Sequence, residues 1–291
     1  MELNNQNYHS PGMNMAYWSN SQYAEFCRCP ARAVAGLLGT YKRKRTAAFA
    51  FGGLLDRALT CSMEDLEAYM HSPDSMDDDG ASFFFDAKGK LRDNKDMRAY
   101  NSIVARAKSE PLLASGMKTW TKQAVFTGTI AGLPWKVMLD YWHDKKGSET
   151  IIDLKFMADF EDDWVKITGE DGRPRNIKAP WYDCSGYFRS MATYREIVRQ
   201  NTDTVPLVAL FAFTKQEPPD AQSVSFDDDE ALERFDRELK EIGDRLTEFD
   251  AMKRGEATAP GCDLPSCDFC RGKHTLDRVV SAVSARNVTM E

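Results

Sequence analysis

Two neighbouring strand-like segments carry charges where a buried strand should carry none. The first ends Val137-Met138-Leu139-Asp140-Tyr141, and the second reads Ile151-Ile152-Asp153-Leu154-Lys155. The apolar run before Asp153 predicts a buried strand, and a buried charge needs a partner or a metal. Alternation along a strand puts Asp153 and Lys155 on one face and Leu154 on the other. The polar connection Asp144–Glu149 predicts that the two strands pair as a hairpin. In register, that hairpin sets Asp140 beside Asp153 and Lys155. The chain must therefore build a sheet, with two carboxylates and one ammonium converging on it.

Such a convergence suits phosphodiester hydrolysis. Carboxylates hold Mg²⁺ or Mn²⁺, hard cations that prefer oxygen. Bound metal lowers the pKa of water and stabilises charge on the attacking and leaving oxygens. Lys155 can orient the water or stabilise the transition state, and the Leu154 carbonyl can add another metal oxygen. A lone Asp-x-Lys at a strand end is more often a surface ion pair, so the surroundings decide.

Before the hairpin, the sequence predicts a helix from about Leu54, with Gly52-Gly53 permitting close approach at its start. Residues 72–95 are rich in Asp, Ser and Gly and read as a loop insertion. A second helix is expected over about 96–115. Three strands follow closely, at Gln123–Ile130, Trp135–Trp142 and Thr150–Phe156. Residues 157–180, with Pro174 and Pro180, read as a long loop. Tyr187, Met191, Tyr194, Ile197 and Val198 fall at helical spacing. Pro206–Thr214 reads as a buried strand that Pro218-Pro219 terminates. Upstream, residues 1–18 read as an irregular arm. Ser19 with Gln22 fits a capping box opening a helix that breaks at Pro30. The expectation is one α/β domain over 1–291, its core at about 47–220. That core is a helix, a three-strand antiparallel meander, a helix and a strand. N- and C-terminal helical additions flank it, with a charged helix at 228–254 and a cysteine-rich end at 260–275.

Apolar residues make up 42% and charged residues 29% of the chain, ordinary for a globular protein. No run approaches the roughly 18 apolar residues of a membrane span. The start, MELNNQNYHSPGMNMAYW, lacks the pattern of a signal peptide, so a cytoplasmic location without a membrane partner is expected. A net charge of −7 argues against broad coating of nucleic acid but not against a DNA enzyme, because metal sites need carboxylates. Lys42-Arg43-Lys44-Arg45 is either a phosphate contact or a solvated turn. An odd count of seven cysteines does not suggest disulfides. Cys262, Cys267 and Cys270 form a C-x4-C-x2-C pattern that reads as a metal site lacking one ligand. His274 would complete a local Cys3His zinc site.

With these features the chain resembles the PD-(D/E)xK nuclease superfamily, and within it the RecE-like, exodeoxyribonuclease VIII-type phage exonucleases. Asp140 and Asp153-Leu154-Lys155 match the superfamily signature. The resemblance extends to Ser19-x-Ser21-Gln22, Phe51-Gly52-Gly53-Leu54-Leu55-Asp56, the Tyr187-to-Val198 helix and Phe213-Thr214-Lys215-Gln216-Glu217-Pro218-Pro219. It implies catalytic roles for Asp140, Asp153, Lys155 and Tyr194. It implies Mg²⁺ or Mn²⁺ on Asp56, Asp140, Asp153 and Leu154, with Asp56 standing where RecB-like relatives often have a metal-binding histidine. Ser190 departs from the family's glutamine, and Phe156 from a small polar residue. Relatives with an iron–sulfur staple use one cysteine before the core and three after it. That likeness implies a [4Fe–4S] cluster on Cys29, Cys262, Cys267 and Cys270, preferred narrowly to zinc with His274. Cys27, Cys61 and Cys184 are left as plain thiols. The activity implied is a DNA exonuclease acting on duplex ends in phage-type recombination or repair. A single-strand annealing recombination partner and a homo-oligomer are implied with it. A structure-specific endonuclease and a degenerate DNA-end-binding protein are the alternatives.

Overall fold

The computed structural model describes residues 2–168, 173–183 and 186–273. Cys184 and His274 lie outside them. A short helix α1 (Pro11–Ala16) leads to α2 (Asn20–Arg28) and α3 (Pro30–Leu37), divided at Cys29 because Pro30 cannot continue a helix. Next come α4 (Ala47–Thr60), α5 (Met63–Met70), α6 (Lys95–Ser109) and α7 (Pro111–Thr119). The meander follows as β1 (Thr121–Ile130), β2 (Leu133–His143) and β3 (Thr150–Met157). A hairpin of β4 (Asp163–Thr168) and β5 (Pro174–Ala179) precedes α8 (Tyr187–Arg199). Then β6 (Leu207–Thr214), β7 (Ala221–Ser225), the long α9 (Asp229–Lys253) and a single turn α10 (Asp268–Arg271) complete the described chain.

The main sheet has the order β1-β2-β3-β6-β7. Its strands pair antiparallel except β3 with β6, which run parallel, with α8 in the crossover between them. Helices cover both faces. On one, Val137, Leu139, Ile151 and Leu210 pack with Met191 and Ile197 of α8 and Phe235 and Leu246 of α9. On the other, Tyr141, Ile152, Leu154 and Phe213 pack with Leu55 and Leu59 of α4, Ile103 of α6 and Leu113 of α7. This is the expected α/β core of helix, meander, helix and strand.

Several local expectations need correction. The helix read from Leu54 begins at Ala47, capped by the Thr46 side chain, so the two glycines lie within it. The single helix over 96–115 is two, divided before Pro111. Residues 157–180 hold β4 and β5, where interspersed polar residues and two prolines hid the strand pattern. The edge strand β7 is short and mostly exposed, so it too left little hydrophobic signal. Residues 72–95 form a packed excursion around the fully buried Phe84, its turns closed by the side chains of Asp77 and Asp86. The N-terminal stretch is likewise docked. Trp18 bridges to Trp135 of β2, its indole donates to Asp250 at 2.9 Å, and the Lys253 ammonium sits 4.5 Å over its ring. Ser19 caps α2 as expected, but Gln22 bonds the Asn14 carbonyl instead of completing the capping box.

Candidate active site

Asp140 sits where two strands part. The β2–β3 ladder pairs Tyr141 with Ile152, Trp142 with Ile151 and His143 with Thr150. At the next position the backbones separate, and the Asp140 carboxylate accepts the Leu154 N–H at 2.7 Å. A side chain thus replaces a lost ladder bond. The same position interrupts the alternation of β2. Val137 and Leu139 belong to the core against α8, whereas Tyr141 belongs to the core against α4. On β1, Gln123 faces this irregularity with a φ of 50°, a strained value for a residue with a side chain. The register expected for the hairpin holds up to Asp140 and then gives way to a cleft.

The sequence-predicted acidic and basic residues meet in that cleft. Asp153 is buried, and the Lys155 ammonium pairs with its carboxylate. Lys155 also donates to the Leu154 carbonyl at 3.3 Å and lies 5.3 Å over the Tyr187 ring. Asp56 comes from α4 on the other side and interacts electrostatically with Asp153 and Lys155. Burial pushes its carboxyl up to about 6, with the Asp153 charge adding to the rise and Arg57 and Lys155 opposing it. The Asp140 carboxyl is raised well above the usual carboxylate range by burial and by the charges of Asp153 and Asp56. Burial alone would lower the Lys155 ammonium, but Asp153 and Asp140 more than compensate, so it stays protonated. Burial and the Asp153 charge keep Tyr194 of α8 a neutral phenol. Ser190 turns away from this group, its hydroxyl bonding the Gly186 carbonyl one turn back at 3.3 Å.

Three carboxylates outnumber the Lys155 ammonium and the Arg57 guanidinium beside Asp56 in a poorly solvated place. All the donors are hard oxygens, the chemistry that Mg²⁺ or Mn²⁺ prefers, but among the described residues only Cys29, Cys262, Cys267 and Cys270 bring three or more ligand atoms close enough to share one ion. A cavity of about 410 Å³ opens beside Asp56, lined also by His9, Arg57, Tyr69, Gln123 and Met138. Sequence reasoning missed Tyr187, Gln123 and His9, because neither a helix-face tyrosine nor a strained glutamine carries a motif.

Gly53 sets how α4 approaches. A Cβ there would lie 2.4 Å from the Tyr69 hydroxyl oxygen, which itself bonds the Ala50 carbonyl. Gly53→Ala is expected to cost about 1–3 kcal/mol by overpacking. It should lower cleavage more than stability explains, since Asp56 is one turn further along. Thermal melts beside cleavage rates check this; unchanged melting and activity would contradict the close approach.

A second cluster joins the two ends of the chain. Cys29, Cys262, Cys267 and Cys270 bring their sulfurs within 4.8 Å of one another, with Cys29 and Cys270 3.5 Å apart. Cys29, at the break between α2 and α3, is fully buried, as nearly are Cys267 and Cys270. The cluster therefore gathers four cysteines from both sides of the core, the ligand set the resemblance implied. Burial disfavours the Cys267 thiolate, but the Cys270 N–H and neighbouring thiols outweigh it and bring its pKa to about 7. Cys27 and Cys61 lie elsewhere as free thiols.

The family model of a PDDEXK-like domain of unknown function (DUF3799) matches residues 19–273. The chain belongs to this family. It is also similar to a candidate exonuclease of Eubacterium rectale, whose crystal structure was solved at 2.19 Å. The two are 25% identical with a TM-score of 0.79, and the match covers 98% of each chain. No curated protein matches the sequence. Family and structural likeness together support a nuclease of the PD-(D/E)xK superfamily. Among the described residues, no helix is long and apolar enough to cross a membrane.

Proposed function

We propose that the protein is a metal-dependent DNA exonuclease that works from duplex ends, in phage-type recombination or repair as RecE-like enzymes do. The observation that supports this best is the meeting of Asp56, Asp140, Asp153 and Lys155 where β2 and β3 separate. Asp56, Asp140, Asp153 and the Leu154 carbonyl would hold Mg²⁺ or Mn²⁺. When bound, the metal supplies a nucleophile from water at neutral pH and stabilises charge on the phosphate oxygens. Lys155, charged and oriented by Asp153, donates to the phosphoryl group as negative charge builds there. Tyr194 supplies a neutral phenol donor beside it. Asp140 also fixes the backbone of Leu154, and so the direction of its carbonyl.

The four cysteines would hold a structural metal group that ties α2 and α3 to the chain end. Four thiols gathered within 4.8 Å supply the ligand set for either group, the [4Fe–4S] cluster that the resemblance implies or a structural zinc. Brown protein containing iron and sulfide identifies the cluster, and colourless protein carrying one zinc overturns it in favour of zinc.

Incubation of end-labelled linear duplex and covalently closed circular DNA with Mg²⁺ tests the activity. An exonuclease digests the linear DNA and spares the circle. A nicked circle makes the protein an endonuclease, and linear DNA bound but intact makes it a degenerate end-binding protein.

A further inference from the structure

A second cavity, of about 560 Å³, runs between the N-terminal stretch, α2 and α3. His9 lines both this cavity and the one beside Asp56, so the two meet at that residue. Arg32, which also lines the groove, connects it to the cysteine cluster, its guanidinium 3.9 Å from the Cys267 sulfur. The groove's charge is unlike that of the whole protein. Arg28, Arg32 and Arg43 all line it, and all three share Glu25 as a carboxylate partner, at 3.9, 2.8 and 3.8 Å. Three guanidinium groups on one carboxylate leave local positive charge in a chain of net charge −7. Arg28 and Arg43 are 62% and 70% exposed, so their faces are open to a ligand. Tyr41 adds a half-buried ring, fixed by its hydroxyl bond to Asp268 at 2.8 Å and by edge contact with Phe269.

We propose that this groove binds a single strand of DNA and leads it between the catalytic cleft and the cysteine cluster. The inference rests on the nuclease reading for its choice of DNA. Cationic side chains that track a phosphate backbone, with an aromatic ring on which a base can stack, are what single-strand grooves use. The apolar floor of Phe26, Ala33 and Leu37 suits bases better than it suits an acidic peptide. Continuity with the cleft at His9 gives one strand a path that no separate basic patch would need.

The test uses the full chain in EDTA and a labelled oligothymidylate of about fifteen nucleotides, near the upper site size of such folds. Arg28→Glu with Arg43→Glu is expected to weaken binding about tenfold or more. The slope of log K against log salt should fall by about 1.4, as loss of two single-strand phosphate contacts requires. Because both side chains are exposed, melting should not change. Equal affinity of the double variant and the parent overturns the proposal. So does loss of blunt duplex binding without loss of oligothymidylate binding, or displacement of the oligonucleotide by polyglutamate of matched charge. Thymidine 5′-p-nitrophenyl phosphate is too short to occupy the groove, and its Mg²⁺-dependent hydrolysis should be the same in both proteins. If the parent does not cleave linear duplex in Mg²⁺, the nuclease reading fails while the binding comparison still decides the groove.

Discussion

Asp140→Asn is expected to lower DNA cleavage by two to four orders of magnitude while raising the melting temperature of the metal-free protein. The two effects have one cause. Asp140 lies in a poorly solvated cleft facing the charges of Asp153 and Asp56, and all three cannot be ionised there at little cost. Asparagine keeps an oxygen for the Leu154 N–H, now held at 2.7 Å, so the backbone at the strand split need not move. It removes the cost of either ionising a third acid there or holding a proton on it. Without a cation this raises stability, and each kcal/mol gained is worth about 2–4 °C in a chain of this size. With a cation the account reverses. A carboxylate ligand to the metal is lost, and several kcal/mol of transition-state stabilisation correspond to the expected loss of rate.

Adding Mg²⁺ separates a ligand from a merely structural acid. The parent should melt higher in Mg²⁺ than in EDTA, because a ligand that binds only the folded state stabilises it. The Asn variant should show little of that rise. Full cleavage by Asp140→Asn would remove Asp140 from the site. Melting below the parent in EDTA would mean that the carboxylate charge is compensated in a way the cleft geometry does not reveal.

The hairpin was legible because its signal is a contradiction of type: charges after Ile151-Ile152, in a strand otherwise fit only for a core. Helix α8 was legible from its 3.6-residue spacing, and α9 from its charged outer face. The four-cysteine cluster was legible in membership but not in spacing, since a sequence shows which thiols exist and not how far apart they come. What escaped has a shared physical reason. The described side chains of β4, β5 and β7 are mostly exposed, so burial writes no alternation into them. Gln123 and the groove arginines act through three-dimensional placement: Arg28, Arg32 and Arg43 are spread over three segments, and only the fold turns them toward Glu25. The Lys42-Arg43-Lys44-Arg45 run stood out in sequence, yet Arg43 acquires its meaning from Glu25 and the neighbouring cavity.

Cys267→Ser is expected to abolish bound structural metal and to release the stretch 255–273 to proteolysis, with the sheet and its two cores intact. Among the described residues, little besides the cluster holds that stretch beyond the bonds of Gly255, Glu256 and Ala257 back to the end of α9. It contains one turn of helix, α10, together with a backbone bond from Ala31 to the Pro260 carbonyl at 3.0 Å and the Tyr41–Asp268 bond. From this stretch, Ala259 packs against the main core. The cysteines themselves make the rest of the local interior, with Ala31 and Phe269 around them. Structural zinc in small sites contributes about 10–16 kcal/mol to folding at neutral pH, more than such sparse packing supplies. Loss of one thiolate should therefore unfold the tail and leave the remainder cooperative. Metal analysis, limited proteolysis and circular dichroism read the three parts separately. A variant that retains metal and resists protease would show that the sulfurs are only packed together. The groove provides a further readout, since Arg32 stands against Cys267 and Tyr41 against Asp268 and Phe269. Oligothymidylate binding should weaken in Cys267→Ser, whereas hydrolysis of the thymidine ester at the Asp140–Asp153–Lys155 cleft should persist. Loss of both together would mean that the cluster supports the cleft as well, and that the two ends of the chain close over one site.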